Sequence, residues 1–475
     1  MFDATVESTS SVKLYAGIIV ATAIYFIAFH LPFGEFSADG KHAFSVFCVA
    51  AFLWITNVFP LAITGIIVLF LLPISNSVTA SDIYSYFGNA AIFFILGAFI
   101  LASPVMRSGL SRRLAISMVS RFGSGPKRLV LSIFSLSSIL AFFISEHAVA
   151  AMFLPIVLEI ITATKVGKNS HFAFAAYMAM AWGAIIGGTA TLLGGARAPL
   201  ALAILHDSFA STPTTQTQIS FLQWTAWAIP IVLTMLFFGL CAVLTIAHKS
   251  QANLSEARHT MLKHKKEIGK ISRRELLTLI LLIFTIVLWI FYGTNWGLDW
   301  IALLAVILAF SLRVTHWQEI EKDVPWGILI MYGSAIALSF SLQNTGAAHQ
   351  IVLVIMNSGI HSPALILILL IMLAALLTEL MSNTAAVAVL LPIALALSVE
   401  YGIDPRVMTI ALATTAGLTF VLPVSTPAMS LVMNSPYVNI HRAMLWGLWL
   451  KLISLIVIIA IILLFWPLVG IRLIV

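Results

Sequence analysis

Long apolar runs separated by short polar breaks fill most of the chain, and Leu276–Phe291 and Met444–Leu464 are nearly unbroken. A helix that crosses a bilayer needs about 20 mainly apolar residues, fewer where it is buried or interrupted. The pattern predicts spans at 14–31, 43–58, 60–74, 89–106, 171–193, 198–206 joined to 221–247 across a polar loop, 275–292, 298–312, 326–343, 406–420 and 441–466. Two further apolar stretches, 129–162 and 362–398, each hold a polar tripeptide where a straight span should be apolar. They are read as re-entrant hairpins that enter and leave on the same face. The predicted fold class is an all-α polytopic membrane protein.

Composition removes the soluble alternative. The chain has 475 residues, 61% hydrophobic and 9% charged, against roughly 25% charged in a soluble domain. Asp3 and Glu7 precede Lys13, and no small-residue cleavage site follows Leu14–Phe29. The first span is therefore expected to stay rather than to be removed as a signal. Cys48 and Cys241 lie in apolar segments without a motif.

The net charge of +7 could indicate nucleic acid, but its distribution indicates topology. With the N-terminus in the cytoplasm, 20 of the 25 Lys and Arg fall on that side, eight of them in Lys249–Arg274. That asymmetry is the positive-inside rule, and it holds only if both hairpins are re-entrant. The expected location is a plasma membrane (a bacterial inner membrane), multi-pass.

The chain echoes itself once, at long range. Phe143–Ile156 reads FISEHAVAAMFLPI and Leu380–Ile393 reads LMSNTAAVAVLLPI, so each hairpin has a Ser-led polar tripeptide and a closing Leu-Pro. A Gly/Thr/Pro-rich interruption follows each: Gly187–Pro199, GGTATLLGGARAP, and Thr414–Pro427, TTAGLTFVLPVSTP. On the predicted topology the two hairpins open to opposite faces. Inverted repeats of this kind mark many secondary transporters, with the site at their interface near the midplane. Non-helical backbone survives at membrane depth only when buried or lining a cavity. Its free N–H groups favour an anion, and its carbonyls with Ser, Thr and Asn oxygens can replace a cation's hydration shell.

These motifs carry a family resemblance. LTELMSNTAAVAVLLPI at Leu377–Ile393, FVLPVSTP at Phe420–Pro427, Gly187–Gly194, and LWITNVFPL at Leu53–Leu61 resemble, in order, signatures of the divalent anion/sodium symporter (DASS) family. The resemblance implies an elevator-type ion-transporter fold, a homodimer, a fixed scaffold and a mobile transport domain. It also implies a small anion gripped between the hairpin tips, with a sodium site where each tripeptide meets its broken helix. The implied division is 1–106 scaffold, 107–247 first-repeat transport elements, 248–274 basic cytoplasmic loop, 275–343 second scaffold, and 344–475 second-repeat transport elements.

The first half departs from the family pattern. Ser145-Glu146-His147 stands where Ser-Asn-Thr is expected, and Gly195-Ala196-Arg197-Ala198 replaces a Thr-Pro-Pro-Asn. In the second half, Thr426-Pro427 lacks the Asn that usually follows. The expected substrate-binding residues are Ser145, Glu146, His147, Arg197, Ser382, Asn383, Thr384, Thr426 and Pro427. The surviving sodium site is expected at Ser382 and Asn383 with Thr378. Ionisable groups inside a membrane are costly and functional by default. Glu146 and Arg197 thus have two readings: an ion pair that replaces a sodium as cement, or an anion contact (Arg197 or His147) with Glu146 as proton carrier or counter-charge. Lys451 is expected to snorkel to the cytoplasmic interface.

The function expected is secondary active transport of a small anion (dicarboxylate, sulfate or bicarbonate), coupled to sodium, protons or both. An anion exchanger without sodium coupling and a cation/proton antiporter are the alternatives. No enzyme, cofactor, nucleic-acid or transition-metal motif is present in the sequence.

Overall fold

The computed structural model describes residues 11–474 except 32–35, 76–77, 111, 115, 118–124, 210–217, 249, 251–262, 264–265 and 268. Arg121, most of the basic loop 248–274 and most of the polar loop before 221 therefore lie outside the described residues. Every regular element described is helical. In chain order the α-helices of six or more residues are α1 Ser11–His30, α2 Ala38–Thr56, α3 Leu61–Leu71, α4 Ala80–Ser85, α5 Ala90–Arg107, α6 Pro126–Ala141, α7 Glu146–Ala163, α8 His171–Gly187, α9 Arg197–Ser208 and α10 Phe221–Ala247. The second half follows as α11 Arg273–Trp296, α12 Leu298–Ser311, α13 Trp317–Asp323, α14 Trp326–Asn344, α15 Ala347–Met356, α16 Pro363–Leu380, α17 Asn383–Glu400, α18 Pro405–Gly417, α19 Pro427–Met433 and α20 Ile440–Ala460. Among the described residues, ten helices are long and apolar enough to cross a membrane.

The outward face of the bundle is apolar. On α1, Ile19 and Ile27 are 67% and 62% exposed. Exposing such side chains to water rather than to lipid would cost about 1.5–3 kcal/mol each. Trp54, Trp182 and Trp224 are fully buried and act as packing residues, not as an interface belt.

Both predicted hairpins form. Ser145 and Ser382 stop the apolar runs because each hydroxyl caps a new helix, accepting from the Ala148 and the Ala385 amide. A Ser at this position satisfies one of the orphan N–H groups of a first helical turn. The two ends of the second hairpin meet, the Tyr401 hydroxyl donating to the Ile360 carbonyl. At the base of the first, Lys127 reaches His248 at the end of α10.

Both predicted breaks form as well, between α8 and α9 and between α18 and α19. The halves interlock crosswise. First-half α9 packs on second-half α17 and α18, and second-half α19 packs on first-half α7 and α8. Helices α5 and α14 lie against α9. At that contact Asn89 donates to both Asp207 carboxylate oxygens at 2.9 Å, and Gln343 donates to the Ser208 hydroxyl at 2.7 Å. At the opposite end of α5, Arg107 and Ser103 hold Asp323. The short helices α4, α13 and α15 are not visible in the sequence pattern, being too short to show a period.

The orientation expected from the distribution of Lys and Arg yields a labelling prediction. On a cysteine-free background, a cysteine at Lys270 is expected to react only from the cytoplasmic side, and one at Gln218 only from outside. Reaction of both from one face would overturn the re-entrant reading of α6–α7.

Candidate functional site

Four helices, α7, α9, α17 and α19, begin at the hairpin tips or the breaks. Helix N-termini carry partial positive charge, which favours negative charge near these helix starts. Threonine ties the pieces together. Thr191 donates from the first break to the Phe142 carbonyl at the first tip at 2.6 Å, and the Glu146 amide donates back to the Gly194 carbonyl at 2.9 Å. Gly188 and Gly194 touch backbone to backbone, and a Cβ on Gly188 would lie 2.9 Å from Glu146 Oε2. Only glycine fits so close an approach.

Within this knot, Arg197 occupies the first half-site. It is 3% exposed, and Glu146 beside it is wholly buried. Arg197 Nη1 donates to Glu146 Oε2 at 3.1 Å, and Nη2 donates to Thr189 Oγ1 at 2.8 Å. Thr189 in turn donates to the Ile185 carbonyl, the back-bond usual for Thr in a membrane helix. Gly195 lies under one edge of the guanidinium and Gly417, the last residue of α18, under another. Arg197 thus spans both breaks, a contact the sequence does not reveal. His147 is partly exposed at the tip, and its Nδ1 lies 3.6 Å from Glu146 Oε1. Ser145 lines a small cavity between the first tip and Ala98, Phe99 and Ala102 of α5.

The second half-site contains hard oxygen donors. Thr378 Oγ1 donates to the Ala416 carbonyl at 2.8 Å and lies 3.0 Å from Asn383 Oδ1. The Asn383 amide nitrogen, buried, has no partner. Exchanging the amide N and O, which look alike in shape, would let Asn383 donate to Thr378 and turn an unpartnered oxygen inward. Thr419 Oγ1 in the second break is also buried without a partner, and the sequence reading did not include it. Thr426 caps α19 by accepting from the Met429 amide at 3.2 Å, while Pro427 beside it is exposed. Ser382 and Thr384 are half-buried at the tip. Oxygen-only donor sets suit hard cations rather than transition metals, and no cluster of three His, Cys, Asp or Glu is present among the described residues.

One sequence expectation is corrected. Lys451 does not snorkel: it is 5% exposed, and its Nζ donates to the Leu418 carbonyl at 2.9 Å, 3.5 Å from Glu379 Oε1. The second break offers an inward amine an acceptor and a counter-charge, which outweigh a return to the interface.

Comparison with known proteins agrees with this architecture. The profile of the family described as "Sodium:sulfate symporter transmembrane region" matches residues 11–472. A sodium-dependent dicarboxylate transporter, SdcS, of Staphylococcus saprophyticus is 29% identical over 94% of this chain and 90% of its own length. SdcS of Staphylococcus aureus strain USA300 is 28% identical over 94% and 88%. Among solved structures, Neisseria gonorrhoeae MtrF, described with a class of antimetabolite efflux pumps, aligns with a TM-score of 0.56 at 15% identity, covering 86% of this chain and 96% of MtrF. The Alcanivorax borkumensis YdaH transporter aligns with a TM-score of 0.53 at 15% identity over 80% and 85%. At that identity the two structures support the fold alone.

Proposed function

Since the chain belongs to the sodium:sulfate symporter family and is a membrane transporter rather than an enzyme, we propose that it moves a small divalent anion by sodium coupling at one site only. The observation that carries this reading is the inequality of the two half-sites. A guanidinium fills the first, while the second keeps an oxygen-only set at Thr378, Asn383, Ala416 and Thr419. The family's printed description and the SdcS relatives support an anion of the sulfate or dicarboxylate class.

In this reading the anion lies between the two tips, at Ser145 and His147 on one side and Ser382 and Thr384 on the other, with Thr426 and Pro427 at the second break. Sodium takes Thr378, Ser382 and Asn383. Arg197 supplies as a fixed charge what a second ion would bring, since guanidinium stays protonated, and Glu146 balances it in the empty carrier. His147 is the group through which a proton can join the cycle. Both hairpins and both broken helices move as one body against α1–α5 and α11–α14. The protein works as a homodimer in a bacterial inner membrane, with the N-terminus in the cytoplasm.

The test is uptake of radiolabelled succinate and sulfate into proteoliposomes under imposed sodium or proton gradients. Sodium activation is expected with a Hill coefficient of ~1, because each coupled ion adds its own linkage to the anion. Steep cooperative activation would mean that Ser145-Glu146-His147 still builds a cation site.

A further inference from the structure

The second break is gripped by residues that the sodium reading does not use. Helix α18 ends at Gly417, with the Leu418 amide still donating to the Thr415 carbonyl, and the amides from Phe420 to Leu422 lie beyond the helical ladder. Glu379 on α16 accepts from these three in succession: Phe420 at 3.2 Å, Val421 at 3.1 Å and Leu422 at 3.1 Å. Hydrogen bonds to an ionised carboxylate are about twice as strong as neutral ones. From the other side, Lys451 bonds the Leu418 carbonyl and faces Glu379. One helical turn earlier on α20, a Cβ on Gly447 would lie 2.7 Å from the Phe420 carbonyl carbon and closer still to its oxygen. The backbone of α20 therefore rests directly on the break.

We propose that Glu379 and Lys451 are a positioning pair that sets the geometry of the second half-site, and that α20 thereby belongs to the binding machinery. The reason is adjacency along the chain. Thr378 and Glu379 share one turn of α16; Thr378 holds the Ala416 carbonyl while Glu379 holds the amides 420–422. Between those two grips lies Thr419, whose buried hydroxyl oxygen has no partner. A displacement of Glu379 or Lys451 moves the Ala416 and Thr419 oxygens relative to Asn383, and with them the cation that they would hold. A pair serving only as cement would change how much protein folds, not the concentration at which folded carrier half-saturates.

This inference rests on the sodium reading for its main readout, and the experiment separates the two. Wild type, Lys451→Arg, Lys451→Met, Glu379→Gln and the Lys451→Met/Glu379→Gln double variant, all full-length, are reconstituted in amounts matched by size-exclusion chromatography. Succinate uptake is measured against sodium and against succinate concentration. Lys451→Met and Glu379→Gln are expected to raise the sodium half-saturation at least tenfold while the maximal rate changes less than threefold. Lys451→Arg stays within threefold of wild type, and the double variant is no worse than the more impaired single one. If wild-type uptake ignores sodium, the sodium reading falls by itself, and the same shift then appears in the succinate half-saturation. Variants of unchanged half-saturation for both solutes, differing only in yield or maximal rate, would overturn the positioning role.

Discussion

Arg197→Ala is expected to abolish anion uptake, by two powers of ten or more, in protein that still reaches the membrane. The substitution leaves Glu146, wholly buried, without its partner. Removing one member of a buried pair costs about 3–5 kcal/mol, and each 1.4 kcal/mol is a factor of about ten in an equilibrium. It also releases Thr189 in the first break and opens space beside Gly417 in the second. Arg197→Lys is expected to restore little, because one ammonium cannot reproduce two planar donors aimed at Glu146 and Thr189. The informative companion is Glu146→Gln/Arg197→Met. Replacing both members of a buried pair by neutral groups of similar volume is often harmless to stability. If the pair is cement, this double variant transports. If Arg197 supplies a needed charge and a bridge between breaks, the double variant folds and stays inactive. Counterflow at matched protein levels distinguishes the outcomes, and near wild-type transport by either variant overturns the proposal.

Gly417→Ala is the second large effect expected, and its sign runs against helix propensity. Gly417 closes α18, and alanine in a helix is ordinarily favoured over glycine by about 1 kcal/mol. Here a Cβ would lie 2.6 Å from Arg197 Cζ and nearer still to Nε. Arg197 cannot withdraw, since Glu146 and Thr189 hold it and Gly195 backs it. Either the pair breaks or the two breaks separate. Uptake is expected to fall at least tenfold, with a lowered midpoint of thermal unfolding. Gly167→Ala, whose Cβ would meet nothing within 4 Å, is expected to leave both unchanged. Equal behaviour of the two variants would show that Arg197 is not confined as described.

Much of this architecture is legible in the sequence because the interruptions carry their own chemistry. A Ser-led tripeptide in an apolar run has one economical conformation, a tip that caps the next helix, and both Ser145 and Ser382 adopt it. The Glu146–Arg197 pair is legible for a related reason: two ionisable groups at membrane depth have few partners other than each other. Lys451 illustrates the limit. Seventy-two positions separate it from Glu379, and a lysine toward the start of a span has a plausible exit to the interface. Only the fold shows that the exit is not taken. The packing of Arg197 on Gly417 is hidden for the same reason, as a glycine gives no sign of what lies above it. The oxygens of Thr419 and Ala416 escape notice because an apolar-looking Leu-Thr-Phe and a backbone carbonyl carry no motif.

If both hairpins and both broken helices slide as proposed, the two clasps between α9 and the α5/α14 face limit how firmly the carrier can rest. Asn89 with Asp207, and Gln343 with Ser208, are the side-chain hydrogen bonds described there. Each is worth about 0.5–1.5 kcal/mol net, somewhat more where the acceptor is charged, because water replaces what is given up. Sliding past them therefore asks for only a few kcal/mol, a sum that thermal motion supplies many times a second. Beside the clasps, Ala91 and Phe94 of α5 and Leu202 and Ala203 of α9 line a shared cavity, so the two faces are not packed solidly there. Under the elevator motion proposed above, a carrier held this way would be a loosely detented slide, one whose stopping places are set by the solutes it carries rather than by a lock on its outer edge.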